Sequence, residues 1–136
     1  MEWAGRLALI DEAGASERRY EGAWSCKEVL GHLIDSAANN HQRFVRLQFV
    51  SYLEMPGYEQ ESWVRSQGYH QEPWTELVAL WRGYNLHLAH VIRAVPPASL
   101  SNRCKIAQYE PTTLEFIATD YLRHLKHHLE QIAATS

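Results

Sequence analysis

Apolar residues along the chain recur at the spacing of one face of an α-helix in four separate stretches. In the first, Trp3, Leu7 and Ile10 form a stripe that predicts a helix over residues 2–13, with Gly14 as its stop. The second opens on a capping box, with Ser25 as N-cap and Glu28 three residues on, and Trp24 is placed to pack as a staple before it. Val29, Leu30, Leu33, Ile34, Ala37, Phe44 and Val45 then mark the buried side of a helix over residues 26–49. The third runs over residues 73–95, from Pro73 at a favourable first position through Trp74, Leu77, Val78, Trp81, Leu88, Val91 and Ile92 to the stop at Pro96-Pro97. Thr112 and Glu115 repeat the capping-box logic, and Leu114, Ile117, Tyr121, Leu122, Leu125, Leu129 and Ile132 predict a last helix over residues 113–133.

Between these stretches the pattern breaks. Residues 50–71 hold Pro56-Gly57, Gly68 and many polar side chains, which are loop signals. A connection this long inside a compact domain is usually functional. Tyr58, Trp63 and Tyr69 suggest that it packs as a lid, with one helical turn around residues 62–65. A second loop covers residues 96–111. No stretch alternates apolar and polar positions over strand length, so no sheet is expected. The predicted fold class is all-α: a four-helix bundle with a long loop between its second and third helices.

The length, 136 residues, suits one domain spanning 1–136. A net charge of -3 gives no basic footprint for nucleic acid. No apolar run approaches the roughly 20 residues that span a bilayer, so no membrane partner is expected. The opening residues lack the basic start and apolar middle of a signal peptide, and Cys26 and Cys104 are far apart and unpatterned. Two thiols without a leader point to the cytoplasm. Five Trp and seven Tyr bring aromatic area enough to line a cleft or an interface.

Eight histidines are the unusual feature. His124 and His128 are four apart, on one face of the last helix, so their imidazoles can point at one ion. At about 100° per residue both fall on the flank of the apolar stripe, while His127 projects to the far side. An H-x3-H pair alone reads equally well as a surface pair. His32, at the border of the second helix's stripe, would add a third nitrogen and leave positions open, as in catalytic centres. His87 and His90 lie on the back of the third helix, and His41 and His70 are isolated. Asn85 projects into the core and needs a partner there. Asp35, one turn beyond His32, could orient that ring, but its phase suits a solvated carboxylate better.

The run from Trp24 to Ala37, centred on Glu28-Val29-Leu30-Gly31-His32-Leu33-Ile34-Asp35, resembles the second-helix signature of the DinB-like (YfiT-like) superfamily. The run from Asp120 to Ile132, containing His124 and His128, resembles that superfamily's last-helix signature. Their order and separation also fit, as does Pro73-Trp74 opening the third helix. The resemblance implies a four-helix bundle holding one divalent metal ion, zinc or nickel, on His32, His124 and His128, and commonly a homodimer. It also implies a small-molecule substrate and, from relatives that use bacillithiol or mycothiol, a low-molecular-weight thiol as co-substrate. The first helix looks shorter than is usual in that family.

The leading expectation is therefore a metal-dependent enzyme with a thiol-dependent S-transferase-type activity. The alternatives are a metal-dependent hydrolase, and a bundle that binds metal or dimerises without chemistry. A fourth protein ligand closing the site would favour the last.

Overall fold

A computed structural model describes residues 2–135. The helices are α1 (Glu2–Ala8), α2 (Glu12–Ser16), α3 (Cys26–Arg46), α4 (Gln60–Gln67), α5 (Trp74–Ala94) and α6 (Leu114–Thr135). Three short strands, β1 (Tyr52–Met55), β2 (Arg103–Ile106) and β3 (Thr112–Thr113), form one small sheet. The class is all-α and the architecture a four-helix bundle, in which α3, α5 and α6 are the long members and α1 with α2 takes the fourth place.

The capping box on α3 forms as the sequence predicts. The Ser25 side chain accepts from the Glu28 backbone N–H, and the Glu28 carboxylate accepts from the Ser25 backbone N–H. Arg18 holds the same carboxylate from outside. At α6 the cap shifts by one residue: Thr113, not Thr112, accepts from the Phe116 N–H, and both threonines pair with β2 in the sheet. Helix α3 ends three residues short of its expected limit, at Arg46, where Asn102 Nδ2 donates to the Leu47 carbonyl at 2.7 Å. Pro73 sits at the N-cap of α5 rather than inside it.

Two expectations fail. The first helix is split, because Asp11 starts a second one: its Oδ1 accepts from the Gly14 N–H at 2.7 Å, and an Asp N-cap is among the best. Gly14 thus lies inside α2 instead of ending α1. The expectation of no sheet is also overturned. β1 pairs in parallel with β2, Tyr52 opposite Arg103, and β2 pairs antiparallel with β3. The strands have four, four and two residues, too few for a period of two to declare itself. The loop over 50–71 is correspondingly more ordered than predicted. It holds β1, the eight-residue α4 and a 3₁₀ turn over Tyr69–Gln71.

The core has two parts. Leu30, Leu33, Tyr69, Trp74, Leu77, Trp81, Leu129 and Ile132 fill one end of the bundle. Phe44, Leu47, Leu88, Cys104, Leu114 and Tyr121 fill the other, where Leu53, Met55 and Ile106 of the sheet pack against them. The N-terminal halves of α3 and α5 therefore share an end with the C-terminal half of α6. So α3 and α5 run in the same direction and α6 runs against both. Asn85 lies in the core as its phase predicts, donating to the Trp81 carbonyl and accepting from the Tyr121 hydroxyl.

Candidate metal centre

Antiparallel packing of α3 and α6 brings the second turn of one helix against the middle turns of the other. His32, His124 and His128 meet there. The Nε2 atoms of His32 and His124 are 3.4 Å apart, and those of His124 and His128 are 3.1 Å apart. The ring centroids lie 4.4–5.1 Å from one another. Among the described residues, these three form the group of His, Cys, Asp and Glu with donor atoms close enough to share an ion. His32 is 1% exposed, and the other two are half-buried at the rim.

Two of the three rings are held from behind. Trp24, the staple residue, packs its indole on the His32 ring with centroids 5.4 Å apart. His128 Nδ1 stands 2.9 Å from Gln131 Oε1. That oxygen can only accept, so the Nδ1 proton is fixed and Nε2 presents its lone pair to the centre. On the adjoining position of α3, a Cβ on Gly31 would lie 2.1 Å from Tyr69 Cδ2, closer than any side chain allows. The absence of a side chain at Gly31 is what lets the Tyr69 ring lie flat on α3 beside His32.

Burial pushes the His32 pKa down to about 4, and its neighbours His128 and His124 push the same way. Burial likewise lowers His124 and His128 below the ordinary imidazole value. The three rings are therefore neutral near pH 7, the form in which imidazole binds metal. Hydrogen bonding among them does not account for the arrangement. With His128 Nε2 fixed as a lone pair, His124 Nε2 faces two nitrogens but carries at most one proton. At most one of the two close contacts is a hydrogen bond. The buried His32 Nδ1 has no hydrogen-bond partner among the described residues.

Asp35 departs from its sequence reading. It is buried at 2% exposure rather than solvated, because the end of α4 and the 3₁₀ turn after it fold over it. Tyr69 Oη and Gln67 Nε2 each donate to Oδ1 at 2.7 Å. It makes no hydrogen bond to His32, so the orienting role weighed for it is not what the geometry supplies. Of the loop aromatics expected to wall a cleft, Tyr58 does so. Tyr69 is packed on α3, and Trp63 stacks edge-on against Tyr58 with centroids 5.2 Å apart.

A cavity of about 420 Å³ opens beside His124, lined by Ser36, Asn40, Arg43, Tyr58 and Tyr121 among others. Sequence reasoning passed over this wall. The signal was present: His32, Ser36, Asn40 and Arg43 follow one another at steps of four, four and three, which is one polar stripe on the inner face of α3. Gln131, three residues beyond His128, was equally legible. His127 is exposed, as its phase predicts, and so are His87 and His90. His70 and His41 are hydrogen-bonded, to Ser25 Oγ and to Tyr84 Oη, each at 2.9 Å.

YfiT from Bacillus subtilis, described as a probable metal-dependent hydrolase with an unusual four-helix bundle topology, has the same fold. Its structure aligns with a TM-score of 0.86 at 19% identity, covering 99% of this chain and 80% of that one. No curated protein matches the chain. No helix among the described residues is long and apolar enough to cross a membrane. The model of the DinB superfamily matches residues 1–132, and with a match over nearly its whole length the chain belongs to the DinB superfamily.

Proposed function

We propose that His32, His124 and His128 hold one divalent metal ion, zinc or nickel, and that the chain is a metal-dependent hydrolase of a small molecule. The observation that carries this reading is the convergence of the three Nε2 atoms. Donors about 2.0–2.1 Å from one ion at tetrahedral angles stand roughly 3.3–3.4 Å apart, against contacts of 3.1 and 3.4 Å in the protein. Three protein donors leave a place for water or substrate, the composition of a catalytic rather than a structural site. When bound, the ion would supply Lewis acidity and a nucleophile at neutral pH.

The chain's own residues do the rest. The α3 capping box and Trp24 fix His32. Gln131 fixes the tautomer of His128. The cavity at His124 gives a small molecule access to the centre while Tyr58 and Tyr121 shield it on two sides. The likeness to a probable metal-dependent hydrolase favours hydrolysis over the thiol-dependent transfer that led the sequence reading. A homodimer belongs to the same proposal: Leu80 and Leu86 on α5 and Phe116 and Leu122 on α6 are exposed apolar side chains available to a second copy.

The test is turnover of a panel of ester, amide and lactone substrates by zinc- or nickel-loaded protein, with and without added low-molecular-weight thiol. Hydrolysis that needs metal and no thiol is expected. Turnover that appears only with thiol would restore the transferase reading.

A further inference from the structure

The cavity beside His124 contains a cation that the metal site does not use. Arg43 is 7% exposed and lines the cavity wall. A guanidinium does not deprotonate in a protein, so this is a buried positive charge. No carboxylate lies within ion-pair distance of it among the described residues. Its hydrogen-bond partner is neutral: Nη1 donates to Asn40 Oδ1 at 3.3 Å. Its Nε is buried and makes no hydrogen bond among the described residues. Burial pulls the pKa of the group below its ordinary value, and the neighbouring Cys104 and Tyr58 offset only part of that. An unpaired buried charge is costly, and such a group in a cavity is matched when an anion enters.

Arg43 also lies where a second contact would be useful. It is eleven residues beyond His32 on α3, which returns it to nearly the same face, with the two Cα atoms about 16 Å apart along the axis. Ser36 and Asn40 lie between them on that face. The cavity thus runs from His124 at one end to the guanidinium towards the other, and its volume of about 420 Å³ suits a small molecule.

We infer that Arg43 is the anchor for a carboxylate on the substrate, holding a small organic acid by its charged end while its other end reaches the three histidines. Arg pairs with planar oxyanions through two parallel hydrogen bonds; Nε is sealed from the cavity, so the Nη edge of the guanidinium is the one a ligand meets. The charge balance of the cavity selects a carboxylate over a phosphate. Glu110 and Asp120 also line it, and Asp120 already has Arg123 at 3.5 Å. These carboxylates repel a doubly charged phosphate more strongly than a singly charged carboxylate. The assignment rests on the proposed function only for what happens at the histidine end. The anchor itself needs no metal.

The test uses the full-length protein in two states, stripped with chelator and loaded with zinc, titrated with pentanoate, pentanamide and inorganic phosphate. Binding is read from the Arg43 Nε–Hε resonance by NMR and from calorimetry. Pentanoate is expected to shift that resonance in both states and to bind at least tenfold more tightly than either pentanamide or phosphate. Arg43→Gln is expected to lose at least tenfold in pentanoate affinity while retaining its zinc. Equal binding of pentanamide, stronger binding of phosphate, an Arg43 resonance unmoved by pentanoate, or full pentanoate affinity in Arg43→Gln would each overturn the assignment. If the variant does not fold, the Nε–Hε resonance of the unsubstituted protein decides. Pentanoate bound only in the zinc-loaded state would mean that it ligates the ion, which overturns the anchor and leaves the metal site standing. A protein that takes up no zinc but still binds pentanoate at Arg43 would do the reverse.

Discussion

Two trios of histidine lie on this bundle, and they are built differently. His32, His124 and His128 sit at the α3–α6 seam with their Nε2 atoms turned inward on one point. His41, His87 and His90 lie across α3 and α5, with ring centroids 5.4 Å apart for the first pair and 6.3 Å for the second. Ring spacing alone barely separates them. The second trio is exposed at His87 and His90, the rings of that pair stack face to face, and His41 spends Nδ1 on the Tyr84 hydroxyl. What distinguishes a ligand set is where the lone pairs point and what holds them, not how many histidines are near one another.

The largest difference should appear on removing one ring from each trio. His124→Ala is expected to weaken divalent-metal affinity by roughly two orders of magnitude or more, since His124 contacts both partners and two imidazoles seldom hold a labile ion. His32→Ala should do the same. Equilibrium dialysis of tag-free protein measures both, and a variant that keeps its metal would erase the distinction between the trios.

A second effect tests the support behind the inner trio. Gly31→Ala puts a methyl into the Tyr69 ring and should destabilise the fold by about 1–3 kcal/mol in urea denaturation. The same change in a Tyr69→Ala background should cost far less. An equal loss in both backgrounds would show that Tyr69 is not the obstacle.

Titration gives a smaller effect with a definite sign. The folded His32 pKa is about 4, below its ordinary value of 6.5. The unfolded chain therefore binds the proton first. In metal-free protein this group's contribution to stability is full above pH 6.5, falls as pH drops from 6.5 to 4, and changes no further below that. Asp35, whose pKa burial raises, works in the opposite direction, so the comparison needed is against His32→Asn. That variant should show a shallower loss of melting temperature over this window. Parallel curves would remove the case for a neutral, buried His32.

The smallest effect is on the outer histidines. His87→Ala, His90→Ala and His127→Ala should each leave metal affinity unchanged within about twofold, because their helical phase points them to solvent. Loss of the ion in any of them would place a ligand where the structure puts none.

The inner trio was legible in the sequence because a four-residue step on one helix and a border position on another survive translation into three dimensions almost unchanged. The long helices were legible for the same reason, and Ser25 with Glu28 marked the start of α3 to the residue. The sheet was not. Its parallel pair joins Tyr52 to Arg103, a contact across two helices that no local pattern announces. Asp35 was misread because helical phase knows only its own helix, whereas the groups that bury it, Gln67 and Tyr69, arrive from a segment that reads as a loop in the sequence. The cavity was missed for a related reason: its α3 wall was readable at His32, Ser36, Asn40 and Arg43, but Tyr58 and the sheet that complete it come from segments read as loops.

The central claim is that three imidazoles of one chain bind one ion. X-ray absorption at the zinc edge, on tag-free protein loaded with one equivalent of zinc, tests it most directly. The account predicts a first shell of three imidazole nitrogens at about 2.0–2.1 Å with one or two oxygen scatterers and no sulfur. A shell with fewer than three imidazoles, or one containing sulfur from Cys26 or Cys104, would contradict it.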